Sequence, residues 1–365
     1  MKRVLFALIT TLFVVGCCNE ELGEYYPDIS TRELHYISRS GTLVEFNDDA
    51  FDAAIISNTY DEYSGGVVRF ASSLRRIGFL GSVDITSITI PSTVTTLEGN
   101  PFRNCKNLAR FISKYATSDG CALVCDSELI ALVRNYRGEK FDIPYGVKAI
   151  GESAFSGSLV KSVTIPNSVA KIGDRAFFDC QNLESLVLPE RLEELGREVC
   201  ADCVNLREVT LPPSFVVGDD FAGFVGCYNL ESFSGECASE DGRCIVLNKT
   251  LYAFAPKDLQ EYSIPEDVAA IADRAFAECD RLQKITIPSS VAKIGYGAFY
   301  NCTRLSEVYL MPATPPTISN GTGSADLFGN TPSDMVIYVP MGSVSRYTSN
   351  ANWERYEKYI QGSYF

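Results

Sequence analysis

The feature that most constrains the fold is a sequence repeat. Residues 163–183 read VTIPNSVAKIGDRAFFDCQNL, and residues 285–305 repeat them as ITIPSSVAKIGYGAFYNCTRL. Looser copies lie before and between them, and Pro166, Pro189 and Pro212 recur every 23 residues. A fixed period of about twenty to thirty residues is the signature of a solenoid, in which each unit buries its apolar face against its neighbours. The repeat therefore predicts an elongated array of stacked coils.

Each unit contains its own signals for local structure. Apolar and polar side chains alternate over residues 163–165, which predicts a short strand that Pro166 ends. A second short extended piece precedes Gly173, and Asp174 is placed to cap a single helical turn. We therefore expect an α+β solenoid with short strands and short helical turns in each coil of about 23 residues.

Two similar insertions interrupt the array, which is expected to cover residues 67–310. Residues 111–136 contain SDGCALVCDSELIALV, and residues 233–254 contain EDGRCIVLNKTLYAF. Each insertion predicts a two-stranded hairpin, turning at residues 126–127 in the first and at residues 248–249 in the second.

The first coil of a solenoid exposes unpaired backbone and apolar surface, and a non-repeating segment is needed to cover it. Residues 29–66 do not fit the repeat and are expected to form this N-terminal cap. The cap is predicted to begin with a hairpin over residues 33–46, because two alternating stretches there flank a polar, glycine-containing turn.

The start of the chain has the features of an export signal. A basic Lys-Arg pair precedes an apolar run that is too short to span a membrane. We therefore expect residues 1–16 to be a signal peptide. The string VVGC resembles a bacterial lipobox, which implies a lipid anchor on Cys17 and a tether over residues 17–28. An ordinary secretory signal cut near Gly16 is the alternative.

Charge argues against one class of partner. The chain carries 46 acidic and 32 basic side chains, for a formal net charge of −14. Proteins that bind nucleic acid depend on basic stripes or clusters, and this sequence has none. We therefore expect no nucleic-acid partner.

Candidate catalytic and metal-binding residues are scarce. His35 is the only histidine, and it lies in the expected N-terminal cap with no nucleophile motif nearby. Zinc sites commonly combine two Cys-x-x-Cys motifs, and such a pair of motifs does not occur. We therefore expect no enzymatic activity, no metal and no cofactor. A glycosidase, with carboxylates that assemble across coils, is the remaining catalytic alternative.

Six cysteines occupy one repeat position and are expected to face the core as small apolar side chains; they are Cys105, Cys180, Cys203, Cys227, Cys279 and Cys302. An exported protein folds where disulfides persist. Cys237 and Cys244, which flank Asp241-Gly242, are the candidate disulfide.

The repeat also carries a family resemblance. The pattern I-x-I-P-x-x-V-x-x-I-G-x-x-A-F-x-x-C-x-x-L is similar to the BspA-like branch of leucine-rich repeats, found in surface lipoproteins of Bacteroidota. The tail resembles the closing segment of such proteins, so residues 311–365, with a helical stretch around Trp353, are expected to form a C-terminal cap.

The resemblance implies a function as well as a fold. It implies a non-enzymatic outer-membrane lipoprotein at the cell surface, or else in the periplasm, that binds a macromolecule. That ligand is a host protein, a glycan or another cell. A structural or assembly protein of the envelope with only bacterial partners is the alternative. We expect a monomer that meets the membrane only through its lipid anchor.

The predicted strands offer a binding surface. Their outward side chains form two columns, and these are more charged and more varied in the second half of the array, as interaction surfaces with anchor residues are. The candidate surface residues are Glu208, Thr210, Glu261, Lys284, Thr286, Glu307 and Tyr309. A plain solvated sheet is the alternative, because β-propensity alone explains threonine and valine at such positions.

Overall fold

The computed structural model describes residues 29–81, 83–213, 215–218, 220–319 and 326–365. The expected signal peptide (residues 1–16), the lipidation site Cys17 and the tether (residues 17–28) lie outside the described residues. The described chain is a solenoid of short strands closed by a cap at each end, which confirms the predicted fold class.

Strands of two to seven residues make up most of the regular structure. In chain order they are β1 (Glu33–Ser38), β2 (Ile55–Asp61), β3 (Gly65–Phe70), β4 (Arg76–Ile77), β5 (Ile85–Thr89), β6 (Thr96–Leu97), β7 (Arg110–Ile112), β8 (Ala122–Cys125), β9 (Glu128–Leu132), β10 (Lys140–Asp142), β11 (Ala149–Ile150), β12 (Ser162–Thr164), β13 (Lys171–Ile172), β14 (Ser185–Val187), β15 (Glu194–Leu195), β16 (Glu208–Thr210), β17 (Ser232–Ser234), β18 (Cys244–Leu247), β19 (Thr250–Phe254), β20 (Glu261–Ser263), β21 (Ala270–Ile271), β22 (Lys284–Ile287), β23 (Lys293–Ile294), β24 (Glu307–Leu310), β25 (Thr317–Ile318), β26 (Val336–Pro340) and β27 (Ile360–Ser363).

Helices are few among the described residues. One α-helix, α1 (Val344–Thr348), lies near the C-terminus, and there are 3-10 helices at Asp48–Ala50, Met341–Ser343 and Glu354–Tyr359. No helix in the described part of the chain has the length and apolar composition of a membrane-spanning segment.

Each regular coil contributes two strands. Equivalent strands of successive coils pair in parallel, which gives two rows of sheets along the solenoid. The first strands form the sheets β10-β12, β14-β16-β17 and β20-β22-β24-β26-β27. The second strands form β15-β13-β11-β9-β8 and β18-β19-β21-β23-β25. Equivalent residues of neighbouring coils lie directly opposite each other, as Ile285 does to Val308. Stacking in this register buries the repeated apolar positions in continuous rows.

The predicted helical turns are wrong, because that part of the coil is a run of turns instead. Arg175 and Asp179 have φ angles of 55° and 56°, in the left-handed region that ends a right-handed helix. The N–H of Phe177 donates to the carbonyl of Val199 in the next coil at 2.8 Å. Asp174 caps no helix, since its Oδ1 accepts from the N–H of Arg197 at 2.8 Å. Alternate N–H groups therefore bond to the next coil, while those between them close single turns, as Phe178 does to the carbonyl of Arg175 at 3.0 Å.

The cysteine row faces the core as expected, but its thiols also form hydrogen bonds. Cys180 Sγ lies 3.1 Å from the carbonyl oxygen of Phe155 in the preceding coil, and Cys203 Sγ lies 3.0 Å from that of Phe177. Cys302 Sγ repeats the contact with Phe276 at 3.1 Å. These three cysteines thus fill space and give a carbonyl of the preceding coil a second hydrogen bond.

Both insertions are hairpins that turn where the sequence predicts. Asp126 and Ser127 have φ angles of 49° and 66°, and Asn248 and Lys249 have φ angles of 50° and 64°, as a two-residue hairpin turn requires. The first hairpin pairs β8 with β9, and the second pairs β18 with β19, both antiparallel.

The hairpins divide the interior into three apolar clusters. In the second hairpin, Ile245 and Ala253 pack with the middle cluster, whereas Leu251 and Phe254 pack with the C-terminal cluster. The first hairpin separates the N-terminal and middle clusters in the same way. Each hairpin therefore lies between two apolar clusters and contributes apolar side chains to both of them.

The N-terminal cap is larger than the sequence predicts. Residues 33–46 do not form a hairpin, because β1 pairs antiparallel with β3 and with β5. Strand β3 extends to Phe70, so the first residues assigned to the repeats belong to the cap sheet β2-β3-β1-β5-β7. This sheet covers the first coil through the pairing of β1 with β5.

At the other end the repeats continue beyond residue 310. Strand β25 pairs parallel with β23 and strand β26 pairs parallel with β24, so one further coil lies inside the segment assigned to the C-terminal cap. The closing element is the tail after Pro340. Its Trp353 is fully buried and donates from Nε1 to the carbonyl of Pro316 at 2.7 Å.

Candidate binding surface

The outward columns predicted from the sequence are present on the sheets of the first strands, because equivalent side chains of neighbouring strands lie in register. Along each strand, one buried residue separates two that face outward, as Val209 separates Glu208 from Thr210. Glu208 lies opposite Ser185 and Ser232 in register. The alternation arises because successive side chains of a strand point to opposite faces.

Five of the seven candidate residues lie together on one sheet. Glu261 on β20 lies opposite Lys284 on β22, which lies opposite Glu307 on β24. Thr286 lies opposite Tyr309 in the second column. We call this outward side of β20, β22, β24 and β26 the C-terminal face.

The other two candidates lie elsewhere. Glu208 and Thr210 belong to the sheet β14-β16-β17, which is separate from the sheet of the C-terminal face. The second hairpin lies between the two sheets in the chain. Thr210 is hydrogen-bonded to Ser234 of the neighbouring strand at 3.2 Å. The structure therefore does not place all seven residues on one sheet.

Tyr309 is the centre of the C-terminal face. The ammonium of Lys284 lies 5.0 Å from the centroid of its ring and 3.6 Å from a carboxylate oxygen of Glu261. The hydroxyl of Tyr309 donates to Glu307 Oε2 at 3.1 Å. Partial desolvation, followed by this carboxylate, raises the pKa of Tyr309, so the phenol stays protonated and remains a donor.

Two aromatic residues that the sequence analysis missed complete the face. Tyr338 on β26 stacks on Tyr309, with centroids 4.8 Å apart and ring planes at 26°. Phe365 approaches the same ring at 6.1 Å and 63°. The signal for Tyr338 is the likeness of VIYV at residues 336–339 to EVYL at residues 307–310. Nothing in the sequence indicates the position of Phe365.

A polar recess of about 360 Å3 lies next to the starts of these strands. Arg281 Nη1 donates to Asp258 Oδ1 there at 2.8 Å. The recess is lined by Asp258, Gln260, Asp280, Arg281 and Arg304. Charges of both signs therefore border the C-terminal face.

The candidate disulfide differs from what the structure contains. Cys237 and Cys244 are separate thiols. Cys237 Sγ lies 3.4 Å from the carbonyl oxygen of Pro213, and Cys244 Sγ lies 3.1 Å from the hydroxyl of Tyr262. Burial raises the pKa of Cys244 to about 12, so this thiol is protonated at neutral pH. Each sulfur has its own polar contact, Cys237 in the middle apolar cluster and Cys244 in the C-terminal cluster.

The lone histidine makes a local contact. His35 lies on β1 of the N-terminal cap, and its Nε2 is 3.1 Å from Glu33 Oε2. That hydrogen bond holds the pKa of Glu33 below its usual value. Within the described ranges, no group of three or more His, Cys, Asp or Glu side chains is arranged to hold a metal ion.

Comparison with known proteins gives one family match. The model of the BspA type leucine rich repeat region matches in six copies, over residues 72–118, 134–239 and 250–322. The gaps between these stretches fall at the two hairpins. No curated protein matches the chain.

Solved structures of bacterial leucine-rich repeat proteins are also similar. A leucine-rich repeat protein from Bacteroides ovatus is 22% identical, with 79% of this chain and 77% of that chain covered and a TM-score of 0.44. One from Eubacterium ventriosum is 21% identical, with 67% and 59% covered and a TM-score of 0.42. A leucine rich cell surface protein from Faecalibacterium prausnitzii is 27% identical, with 65% and 48% covered and a TM-score of 0.34. The chain thus spans 59% and 48% of the last two proteins.

Proposed function

The chain belongs to the family of BspA type leucine rich repeat proteins, and from that premise we propose that it is a non-enzymatic binding protein of the cell surface. Its ligand is a macromolecule, which it meets through the C-terminal face. The observation that carries the proposal is the grouping of Tyr309, Tyr338, Lys284 and Glu261 on one outward sheet face.

Three properties of this face support a role in binding. The tyrosines are held by stacking and by a hydrogen bond to Glu307, so little side-chain entropy is lost when a ligand binds. Tyrosine is also among the residues that most often carry binding energy. Finally, the core does not need these side chains, because the buried residues of β24 are Val308 and Leu310.

The proposed location follows from the start of the sequence. A signal peptide over residues 1–16 would export the chain, and lipidation of Cys17 would anchor it to the outer membrane. The tether would then hold the solenoid, with its net negative surface, away from the membrane.

A cell-based experiment tests this function. Cells that lack the protein are expected to lose adherence to a host matrix while their envelope stays intact to detergent and dye. Protease added to whole cells is expected to remove the protein from wild-type cells. Normal adherence with a leaky envelope would instead favour an envelope assembly protein, and release of reducing sugar from a glycan by the purified protein would contradict a non-enzymatic role.

A further inference from the structure

We propose that Cys200 and Cys203 are a redox site, at which a disulfide bond closes one turn of the solenoid when the chain folds under oxidising conditions. The two residues are the ends of the motif Cys200-Ala201-Asp202-Cys203. Both are thiols in the structure, and both lie in the middle apolar cluster. The site is separate from the C-terminal face and independent of any ligand bound there.

Cys200 is an exception within the repeat. Cys203 belongs to the cysteine row, and Cys200 lies three residues before it. The other five members of the row have a phenylalanine at that position, namely Phe102, Phe177, Phe224, Phe276 and Phe299. The ring of Phe177 is fully buried and stacks on Phe155, with centroids 4.9 Å apart. The coil of Cys200 therefore lacks an apolar ring that anchors the turn and has a second thiol in its place.

The backbone of this turn suits a disulfide. The N–H of Cys203 donates to the carbonyl of Cys200 at 3.2 Å, which closes a four-residue turn. The end Cα atoms of such a turn lie within about 7 Å of each other, and a disulfide spans about 4.4–6.8 Å between Cα atoms. Both side chains are fully buried, and the two thiols lie beside each other. The bond can therefore form with little movement of the backbone.

Cys180 is the competing partner, because its thiol also lies beside that of Cys203. It occupies the equivalent position in the preceding coil. The N–H of Asp179 donates to the carbonyl of Ala201 at 2.9 Å, so the two coils are spaced like paired strands, about 4.8 Å apart. A disulfide needs Cβ atoms about 3.5–4.5 Å apart, which two residues in register reach only if the coils approach each other. The pair within one turn is therefore favoured.

Oxidation leaves no carbonyl without a donor. The Cys203 thiol gives up its contact with the carbonyl of Phe177, which still accepts the N–H of Cys180 at 3.3 Å. The oxidant is itself a disulfide, such as glutathione disulfide. One cysteine thiolate attacks that disulfide and releases one of its thiols, and the second thiolate then displaces the other. The protein loses two protons and two electrons, and the oxidant becomes two thiols.

Burial decides when this exchange takes place. Cys200 and Cys203 are inaccessible in the folded coil, so an oxidant reaches them while the chain folds. A pair that is three residues apart in the sequence can close before the neighbouring coils stack on it. The folded protein then retains the state, thiol or disulfide, in which the turn was buried.

The test is to refold the full chain in mixtures of reduced and oxidised glutathione, stop exchange with acid, alkylate the free thiols and digest with trypsin. Cleavage after Arg197 and Arg207 releases residues 198–207, which contain no cysteine other than Cys200 and Cys203. We expect most of this peptide to carry an internal disulfide and no alkyl group in the oxidising mixtures. It is expected to carry two alkyl groups after refolding with reductant.

Two variants and one internal control accompany this measurement. Cys200→Phe restores the usual residue of the repeat, and Cys200→Ser removes the thiol with little change in volume. Cys203 is expected to be alkylated in both. Cys279 and Cys302 are the control, because they are in-register thiols of neighbouring coils that each follow a phenylalanine by three residues. We expect both to be alkylated in the same oxidised sample.

Three results would overturn the proposal. Residues 198–207 that carry two alkyl groups at every glutathione ratio would show that the bond does not form. A disulfide that joins them to residues 176–191 would assign the bond to Cys180. A disulfide between residues 275–281 and 294–304 would contradict the argument that coil spacing disfavours in-register pairs. Each result leaves binding by the C-terminal face to its own experiment.

Discussion

At the scale of single residues, the repeat is held together by polar atoms that the hydrophobic pattern does not reveal. Asn205 donates from Nδ2 to the carbonyl of Gln181 at 2.7 Å, and Asn229 does the same to Val204 at 2.8 Å. The cysteine thiols bond to carbonyls of the preceding coil in the same way. The asparagines satisfy carbonyls that the turns leave without backbone donors, whereas each thiol adds a second hydrogen bond to a carbonyl that already accepts a backbone N–H.

The thiol of Cys180 provides a direct test of such a contact. Burial raises the pKa of Cys180, so the thiol keeps the proton that it donates to Phe155. We expect Cys180→Ala to lower the free energy of unfolding by about 1–3 kcal/mol, through the lost donor and the small cavity. Cys180→Ser keeps a donor, and buried Ser158 shows that serine is tolerated in the preceding coil.

The measurement is urea unfolding of both variants. Cys180→Ser is expected to be the more stable of the two. If Cys180→Ala were equal to it or better, the hydrogen bond would make no net contribution, and the cysteine would act only as a space filler.

The pKa of Asp202 predicts how the stability of the fold depends on pH. Burial, followed by the charge of Glu278, raises the pKa of Asp202 above 3.8. The folded protein therefore binds this proton more readily than the unfolded chain. The stability contributed by the group is greatest below pH 3.8 and is lost as the pH rises through the folded-state pKa.

Asp202→Asn removes the titration and suits the backbone. Asp202 has a φ of 62°, and asparagine occurs with a φ of 61° at Asn301, which also directly precedes a repeat cysteine. We expect the variant to have a higher melting temperature than the wild type at pH 7, with the gain shrinking as the pH approaches 4. A gain of the same size at both pH values would exclude the charge as its cause. Glu190→Gln, on the exposed surface, is the charge-matched control.

At the scale of elements, the approach of neighbouring coils depends on glycine. A Cβ on Gly196 would lie 2.4 Å from the backbone nitrogen of Asp174 and 2.4 Å from the carbonyl carbon of Gly173. The repeated Ile-Gly or Leu-Gly pair thus marks the point where successive backbones touch. In the sequence this glycine marks only the end of the second extended piece.

Gly196→Ala is expected to be severely destabilising. Because the clash is with backbone, two coils must separate, and we expect a loss of about 3 kcal/mol in the free energy of unfolding. Gly342→Ala is the matched control, since a Cβ there meets no heavy atom within 4 Å. Chemical unfolding of the two variants makes the comparison, and similar midpoints would contradict the close approach.

At the scale of the whole molecule, the three apolar clusters suggest how the solenoid responds to damage at one end. The C-terminal cluster includes buried Trp353 and Tyr347. The hydroxyl of Tyr347 donates to the carbonyl oxygen of Pro312 at 2.7 Å. The second hairpin separates this cluster from the middle one. In repeat proteins each unit contacts only its neighbours, so each unit stabilises only the units next to it.

Trp353→Ala is therefore expected to act locally. The lost side chain lowers stability by about 3–5 kcal/mol, and hydrogen exchange is expected to accelerate in β24 and β26. Strands before the second hairpin, such as β12 and β14, are expected to keep their protection. Equal acceleration in the middle cluster would mean that the solenoid unfolds as one cooperative unit.

Much of this architecture is determined by the sequence alone. The spacing of Pro166 and Pro189, the VTI alternation and the inserted turns fix the coil, its strands and both hairpins, because period and turn chemistry are local properties. The outward positions of Glu261, Lys284, Glu307 and Tyr309 follow from the same alternation.

Only the tertiary structure decides the rest. Contacts between distant segments decide whether the backbone of the turns bonds within a helix or to the next coil. They also decide how far each cap extends and whether Glu208 and Tyr309 share a sheet. The stacking of Tyr309 between Lys284 and Tyr338 arises from register across three strands. A sequence pattern fixes which way a side chain faces, but its neighbours are set by how the coils align.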